Sequence, residues 1–155
     1  MMRRLLILLA ILCLPIAAFG AGSWETSIPR HYEDESVKTL TLEWTADAAA
    51  ATVPNYSFTT IDKAFVSGWN LFMVVTDPGA TAPTDNYDIT ILDQYSVDVA
   101  GGELEDRDTT NTEQVVPSIG SAYGGRTIDG GTVTVTVSNN AVNSASGKII
   151  LFFGM

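Results

Sequence analysis

The chain has 155 residues, 46% of them hydrophobic and 17% charged, with 18 acidic against 8 basic side chains and a formal charge of −10 at pH 7. That length is one domain, and the scatter of Gly, Ser, Thr, Asn and Asp between short apolar runs excludes a mainly disordered chain, a coiled coil and a collagen-like fibre. The carboxylate excess also speaks against a nucleic-acid partner, because phosphate contacts supply most of the affinity in such complexes.

At the start of the chain Arg3 and Arg4 precede an apolar run over residues 5–16, followed by Ala17, Ala18, Phe19 and Gly20. A basic flank, an apolar run shorter than the roughly 20 residues of a membrane span, and small residues at Ala18 and Gly20 describe a signal peptide over residues 1–20. The chain is therefore expected to be exported, to a periplasm or outside the cell. Membrane contact arises only through this segment if it stays uncleaved. Cys13 lacks the small residue that normally precedes a lipidated cysteine. Cleavage would leave no cysteine, hence no disulfide, thiolate nucleophile or Cys-based zinc site.

Residues 21–36 read as an N-terminal arm. Trp24 lies in it outside any recognisable strand, and with Tyr32 it is a candidate for docking on a neighbouring subunit. His31, the only histidine, cannot form a multi-histidine metal site, and no serine stands in a nucleophile-elbow pattern to use it as a base. It reads as a solvated residue of the arm.

The domain proper is expected over residues 37–155. Leu40, Leu42 and Trp44 alternate with Thr39, Thr41, Glu43 and Thr45, the period of a strand with one wet face. Residues 46–52 are either one helical turn with Thr45 or Asp47 as N-cap or a plain connection before Pro54. Residues 56–60 read as a short strand, and residues 69–75, apolar on both faces, as a strand central to the fold. Thr76-Asp77-Pro78-Gly79 is a turn. Tyr87, Ile89 and Ile91 then alternate with Asp88 and Thr90, with residues 95–99 a candidate continuation. Residues 103–125 lack a sheet period and read as the long loop of the domain, where function tends to sit. Val133, Val135 and Val137 alternate with threonines, and residues 148–153 form a closing strand expected to pair with them as an antiparallel hairpin. The pattern is all-β: an antiparallel β-sandwich, jelly-roll or immunoglobulin-like, of about seven strands.

Candidate chemistry is sparse. Glu103, Glu105, Asp106, Asp108 and Glu113, with Asp93 and Asp98, could gather a calcium ion through oxygen ligands, but Arg107 stands inside the cluster and neither an EF-hand loop nor a nonapeptide repeat is present. The alternative is a solvated acidic loop, and no other cofactor is implied. Trp44 and Trp69 fall on inward-reading positions and belong to the core. The interaction candidates are thus Trp24, Tyr32, Glu103, Asp106, Arg107, Asp108 and Tyr123. Asn55-Tyr56-Ser57 matches a glycosylation sequon.

The segment 76–89, followed by Asp98, Gly101-Gly102, Arg107-Asp108-Thr109 and later Asn143-Ser144-Ala145-Ser146-Gly147, resembles a family of small proteins encoded among the structural genes of tailed bacteriophages and prophages. The resemblance spans about residues 68–153 and implies a virion component, head-decorating or tail-associated, without implying catalytic residues. The signal-like N-terminus departs from it, since such virion proteins assemble in the cytoplasm.

The leading expectation is a non-enzymatic structural or interaction protein, a subunit or surface component of a virion or extracellular assembly, working as a homo-oligomer or docked on a larger body. The alternative is a secreted module recognising glycans or a receptor through the 103–125 loop. A third reading is a small hydrolase using loop carboxylates such as Asp106 and Asp108.

Overall fold

The computed structural model describes residues 20–28 and 36–155. The signal-peptide reading, Cys13, His31 and Tyr32 lie outside the described residues.

The chain is a β-sandwich. Its larger sheet contains β1 (Ser23–Ser27), β2 (Val37–Thr45), β4 (Asn70–Pro78), β6 (Glu113–Val115), β9 (Arg126–Thr127) and β11 (Ser146–Gly154), in the order β1-β2-β11-β4-β6, with β9 paired to β4 as well. The smaller sheet has the order β3-β10-β5, from β3 (Tyr56–Ser57), β10 (Thr134–Ser138) and β5 (Asp88–Leu92). A two-stranded hairpin, β7 (Ser118–Ile119) with β8 (Ala122–Tyr123), and one short helix, α1 (Thr60–Val66), complete the described elements. All pairings are antiparallel. Among the described residues no helix is long and apolar enough to cross a membrane.

Side chains alternate across a strand, so each apolar series fills one face. Leu40, Leu42 and Trp44 of β2, Leu71 and Val74 of β4, and Ile149, Leu151 and Phe153 of β11 are fully buried in one cluster with Ile89 and Ile91 of β5 and Val135 and Val137 of β10. Tyr87, Leu104, Ile128 and Val66 join the same cluster from outside the strands or from α1. Sandwich cores are built from the two inner faces in this way.

The helix was not expected. Its sequence is short, and tertiary support carries a helix of this length. Thr59 caps it: its hydroxyl accepts from Asp62 N–H at 3.2 Å, and the Asp62 carboxylate accepts in return from Thr59 N–H and O–H, each at 2.7 Å. That reciprocal pair is a capping box. Tyr56 O–H donates to the same carboxylate at 2.5 Å, so the buried Asp62 ties β3 to α1. Burial and the Asp62 carboxylate push the Tyr56 phenol up to about 12.

Four further expectations are corrected. Trp24 is not outside any strand: it lies in β1, in register with Trp44, its ring tilted at 37° to that of Tyr56 with centroids 5.5 Å apart, and it donates from Nε1 to Pro54 O at 2.5 Å. Its indole is half-buried against the core and is occupied within its own domain. The last two strands do not form a hairpin, because β10 pairs with β5 and β3 while β11 pairs with β2 and β4. The connection after β10 therefore crosses between sheets, where β11 gains two full-length partners instead of one short one. Residues 95–99 do not continue β5; Asp93 accepts from Tyr95 N–H and Val97 N–H and folds the chain into a tight turn, returning at an isolated bridge between Leu92 and Asp98. Finally, the 103–125 segment is not one irregular loop, since it carries β6, β7 and β8. Residues 46–52 are a plain connection, with Asp47 accepting from Ala49 and Ala50 N–H at 2.7 Å.

Candidate functional site

The acidic segment is first of all a piece of architecture. β5 pairs with β10 on one side only, and an uncovered sheet edge is a liability. Its other side is laced to the segment that follows it: Val99 N–H donates to Ile91 O at 2.8 Å, Ile89 N–H to Leu104 O at 2.9 Å, and Arg107 N–H to Tyr87 O at 2.8 Å. Asp98 accepts from Ile91, Ala100 and Gly102 N–H and fixes the turn that begins this cover.

Three of the sequence candidates are spent on the same scaffold. Arg107 donates from Nε and Nη2 to Glu105 O and reaches Glu113 at 3.4 Å. Asp108 accepts from Thr110 N–H and O–H and from the backbone and side chain of Asn111. Those donors, the Asn111 side chain foremost, hold its carboxyl well below the usual carboxylate range. Asp106 adopts a left-handed backbone with φ of 53° and donates from N–H to Asp88. Among the described residues no group of three or more His, Cys, Asp or Glu is placed to hold a metal ion.

The other two described candidates in this region do converge. Glu103 and Tyr123 line one groove of about 390 Å³ together with Gln114, Val115 and Val116. The hairpin β7–β8 brings Tyr123 there: Ser118 N–H donates to Ala100 O and Ser118 O–H to Gly101 O, each at 3.2 Å, and Gly124 N–H to Pro117 O at 2.8 Å. Gly101 is required at that contact. Its φ is +68°, and a β-carbon would sit 2.2 Å from Ser118 O. The same turn that seats the hairpin leads directly into Glu103. Val115 packs half-buried against the core, anchoring β6 beneath the groove, while Gln114 and Val116 are exposed on either side of it. Tyr123 is 75% exposed.

The groove thus offers an open aromatic ring, a carboxylate, a carboxamide and two valines. That set can stack on an apolar face and accept and donate hydrogen bonds. The groups with displaced titration lie elsewhere. Burial pushes the Tyr87 phenol up to about 12. Asp93, against the opposing effect of burial, is lowered by the N–H groups of Val97 and Tyr95 and by Arg126, whose Nη2 lies 2.7 Å away. Gln114, Val115 and Val116 were missed in the sequence, where only the apolar pair Val115-Val116 before Pro117 hinted at them.

Two other clefts are less apt. One of about 330 Å³ is lined by Ser23, Glu25, Glu43, Ser146 and Lys148 among others, with Lys148 Nζ already 3.0 Å from Glu43. Another of about 400 Å³ lies along α1 at Thr60, Lys63 and Ser67. Neither has an exposed aromatic ring.

No protein-family model matches the chain, and no curated protein does. A solved structure described by the role of conserved amino acids in the cleft of the C-terminal family 22 carbohydrate binding module of Clostridium thermocellum Xyn10B is 17% identical, covering 86% of this chain and 82% of that one with a TM-score of 0.26. A likeness at that score carries no argument about this chain.

Proposed function

We propose that the chain is a non-catalytic binding domain that takes a carbohydrate in the groove at Glu103, Gln114 and Tyr123. The observation that carries this reading is the Tyr123 ring, open to solvent at the rim of a groove that also holds a carboxylate and a carboxamide. A pyranose presents an apolar face of C–H bonds edged by hydroxyls. An aromatic ring stacks on the face while planar polar groups meet the hydroxyls, and a groove of about 390 Å³ falls within the roughly 300–1,000 Å³ of small-ligand sites. The test is a glycan array followed by calorimetry on the best ligand. Tyr123→Ala and Gln114→Ala should each abolish or strongly weaken binding with the fold intact. A full array without a specific ligand, or binding indifferent to both changes, would refute the reading.

A second reading, the subunit of a virion or extracellular assembly, is favoured by Val116 at 46% and Ile119 at 54% exposure on or beside the same hairpin. Here the groove would receive a protein side chain, and the assembly partner would be retained by wild type and lost on Ile119→Asp. Export belongs to the carbohydrate-binding reading and to an extracellular assembly, and mass spectrometry of the mature chain should then find it beginning at Ala21.

A further inference from the structure

Glu103 is the one charged residue lining the Tyr123 groove, and among the described residues nothing neutralises it. It is half-buried, yet its carboxylate takes part in no hydrogen bond or ion pair there. The acids around it are satisfied. Asp98 accepts from the N–H groups of Ile91, Ala100 and Gly102, and Glu113 accepts from Asp108 N–H and lies 3.4 Å from Arg107. The described cations are placed elsewhere: Arg107 on Glu105 O and Glu113, Arg126 on Asp93, Lys148 on Glu43, Lys38 on Phe65 O, and Lys63 along the cleft of α1. The backbone meanwhile fixes where Glu103 stands, since its N–H donates to Ala100 O at 3.5 Å and the adjoining Leu104 is fully buried.

A ligand seated in the groove strips water from that carboxylate. Covering a charge is costly unless the ligand brings a counter-charge. A neutral hydroxyl returns part of the lost hydration, and an ammonium returns more, because a hydrogen bond between ionised groups is roughly twice as strong as a neutral one. A second carboxylate would add repulsion. The formal charge of −10 on the chain works in the same direction, drawing cations and turning anions away. So does Tyr123, 75% exposed, because the negative face of an aromatic ring attracts a cation and the C–H bonds that a cation polarises.

We propose that the ligand is an amino sugar, its free ammonium paired with the Glu103 carboxylate and its pyranose face laid on Tyr123, an inference that rests on the carbohydrate reading of this groove and narrows it to a cationic sugar. Tyr123 supplies the platform, and Glu103 decides which sugar is taken.

The experiment is calorimetric titration of the full chain with gluco-, galacto- and manno-configured oligosaccharides, each in its hydroxyl, N-acetylated, free-amine and uronic acid form. At about pH 6 a sugar amine is protonated, as an α-amino group titrating at roughly 7.7–8.0 would be. One free-amine form should bind about fivefold or more tighter than its hydroxyl and N-acetylated counterparts, with the uronic acid weakest, and the preference should shrink as salt rises. Glu103→Gln keeps the shape and removes the charge; it should bring the amine form to within about twofold of the hydroxyl form, which stays bound. Glu105→Gln removes the same charge from an exposed neighbour outside the groove and should leave the preference intact. Circular dichroism checks each fold, and Glu103→Lys, which should turn the preference toward the uronic acid, answers the same question if the glutamine variant fails. Tyr123-dependent binding in which amine, N-acetylated and hydroxyl forms are held alike, or an amine preference that survives Glu103→Gln or falls equally with Glu105→Gln, overturns the amino-sugar assignment and leaves the carbohydrate reading standing. A lysine tripeptide bound more tightly than every sugar also overturns it, and a chain that binds no sugar in any form loses both.

Discussion

Replacing Gly147 by alanine tests the register at the centre of the sandwich. Gly147 of β11 stands opposite Trp44 of β2, and a β-carbon there would lie 2.9 Å from Cε2, Cζ2 and Nε1 of the indole. Non-bonded carbons rest at about 3.5–4.0 Å, so the added methyl is at least about 0.6 Å too close to a rigid ring. The ring cannot readily retreat: Trp44 is 1% exposed and its centroid is 5.8 Å from that of Tyr87. Overpacking of this kind costs about 1–3 kcal/mol, a large share of the roughly 5–15 kcal/mol that holds a domain together. Urea denaturation followed by circular dichroism should show a lower midpoint with an unchanged slope. The cause is then isolated by a double-mutant cycle. Trp44→Leu alone should cost about 2–4 kcal/mol, and in that background Gly147→Ala should become nearly harmless, a coupling of about 1 kcal/mol or more. Additive losses, or an alanine tolerated beside the intact indole, would refute the packing described for β2 and β11.

Asp62→Ala should destabilise by about 2–3 kcal/mol, since it removes a capping box and an acceptor shared with the Tyr56 hydroxyl; a change below about 0.5 kcal/mol by chemical denaturation would contradict the role given to it. The Tyr56 and Tyr87 phenols, raised from 10.0 to about 12, contribute stability that is complete below the unfolded value and lost as pH climbs through the native one, so an ultraviolet titration should show both ionising late and together with unfolding. Asp108 behaves oppositely: its native value is depressed from 3.8, so its contribution is complete above that value and is lost as pH falls through the native one, and Asp108→Asn should flatten the acid limb of the stability curve. Lys38→Met should loosen the seat of α1, because Lys38 Nζ donates to Phe65 O at 2.6 Å and lies over the Phe65 and Trp69 rings; hydrogen exchange within residues 60–66 should rise.

The sheet class was legible because the strands that make the core obey the two-residue period. Leu40, Leu42 and Trp44, the Tyr87, Ile89 and Ile91 series, and the three alternating valines all point inward as written. β1 was not legible. Of its five residues only Trp24 is shielded and the other four are exposed, and an edge strand of that kind shows no alternation. The pairing of β10 and β11 was misread because sequence proximity favours a hairpin, whereas register is decided by partners more than forty residues away, with Val135 facing Ile91 and Phe153 facing Lys38 and Leu71. The helix could have been found from Thr59 followed three residues later by Asp62, an acidic variant of the capping-box spacing. Of the site, Glu103 and Tyr123 were picked out singly, but their meeting depends on Ser118 docking on the turn at Gly101, which no local pattern announces.

The acidic segment separates two jobs that its composition confounded. Asp98 and Arg107 point their polar groups at backbone and neighbouring side chains and close the free edge of β5 and the Tyr87 that leads into it, while Asp108 fixes the turn at Thr110 and Asn111 that follows. Glu103 and Tyr123, borne on the same stretch of chain, are left facing a groove. Stability and recognition are thereby placed on different side chains of one connection, and substitutions sort accordingly. Changes at Asp98 or Arg107 should lower the unfolding midpoint and reduce ligand affinity only in proportion to the population unfolded. Changes at Tyr123 should reduce affinity with a shift in stability within about 0.5 kcal/mol. A variant of Asp98 that stays fully folded yet no longer binds would show that the edge cover itself belongs to the recognition surface, and that this division of labour is wrong.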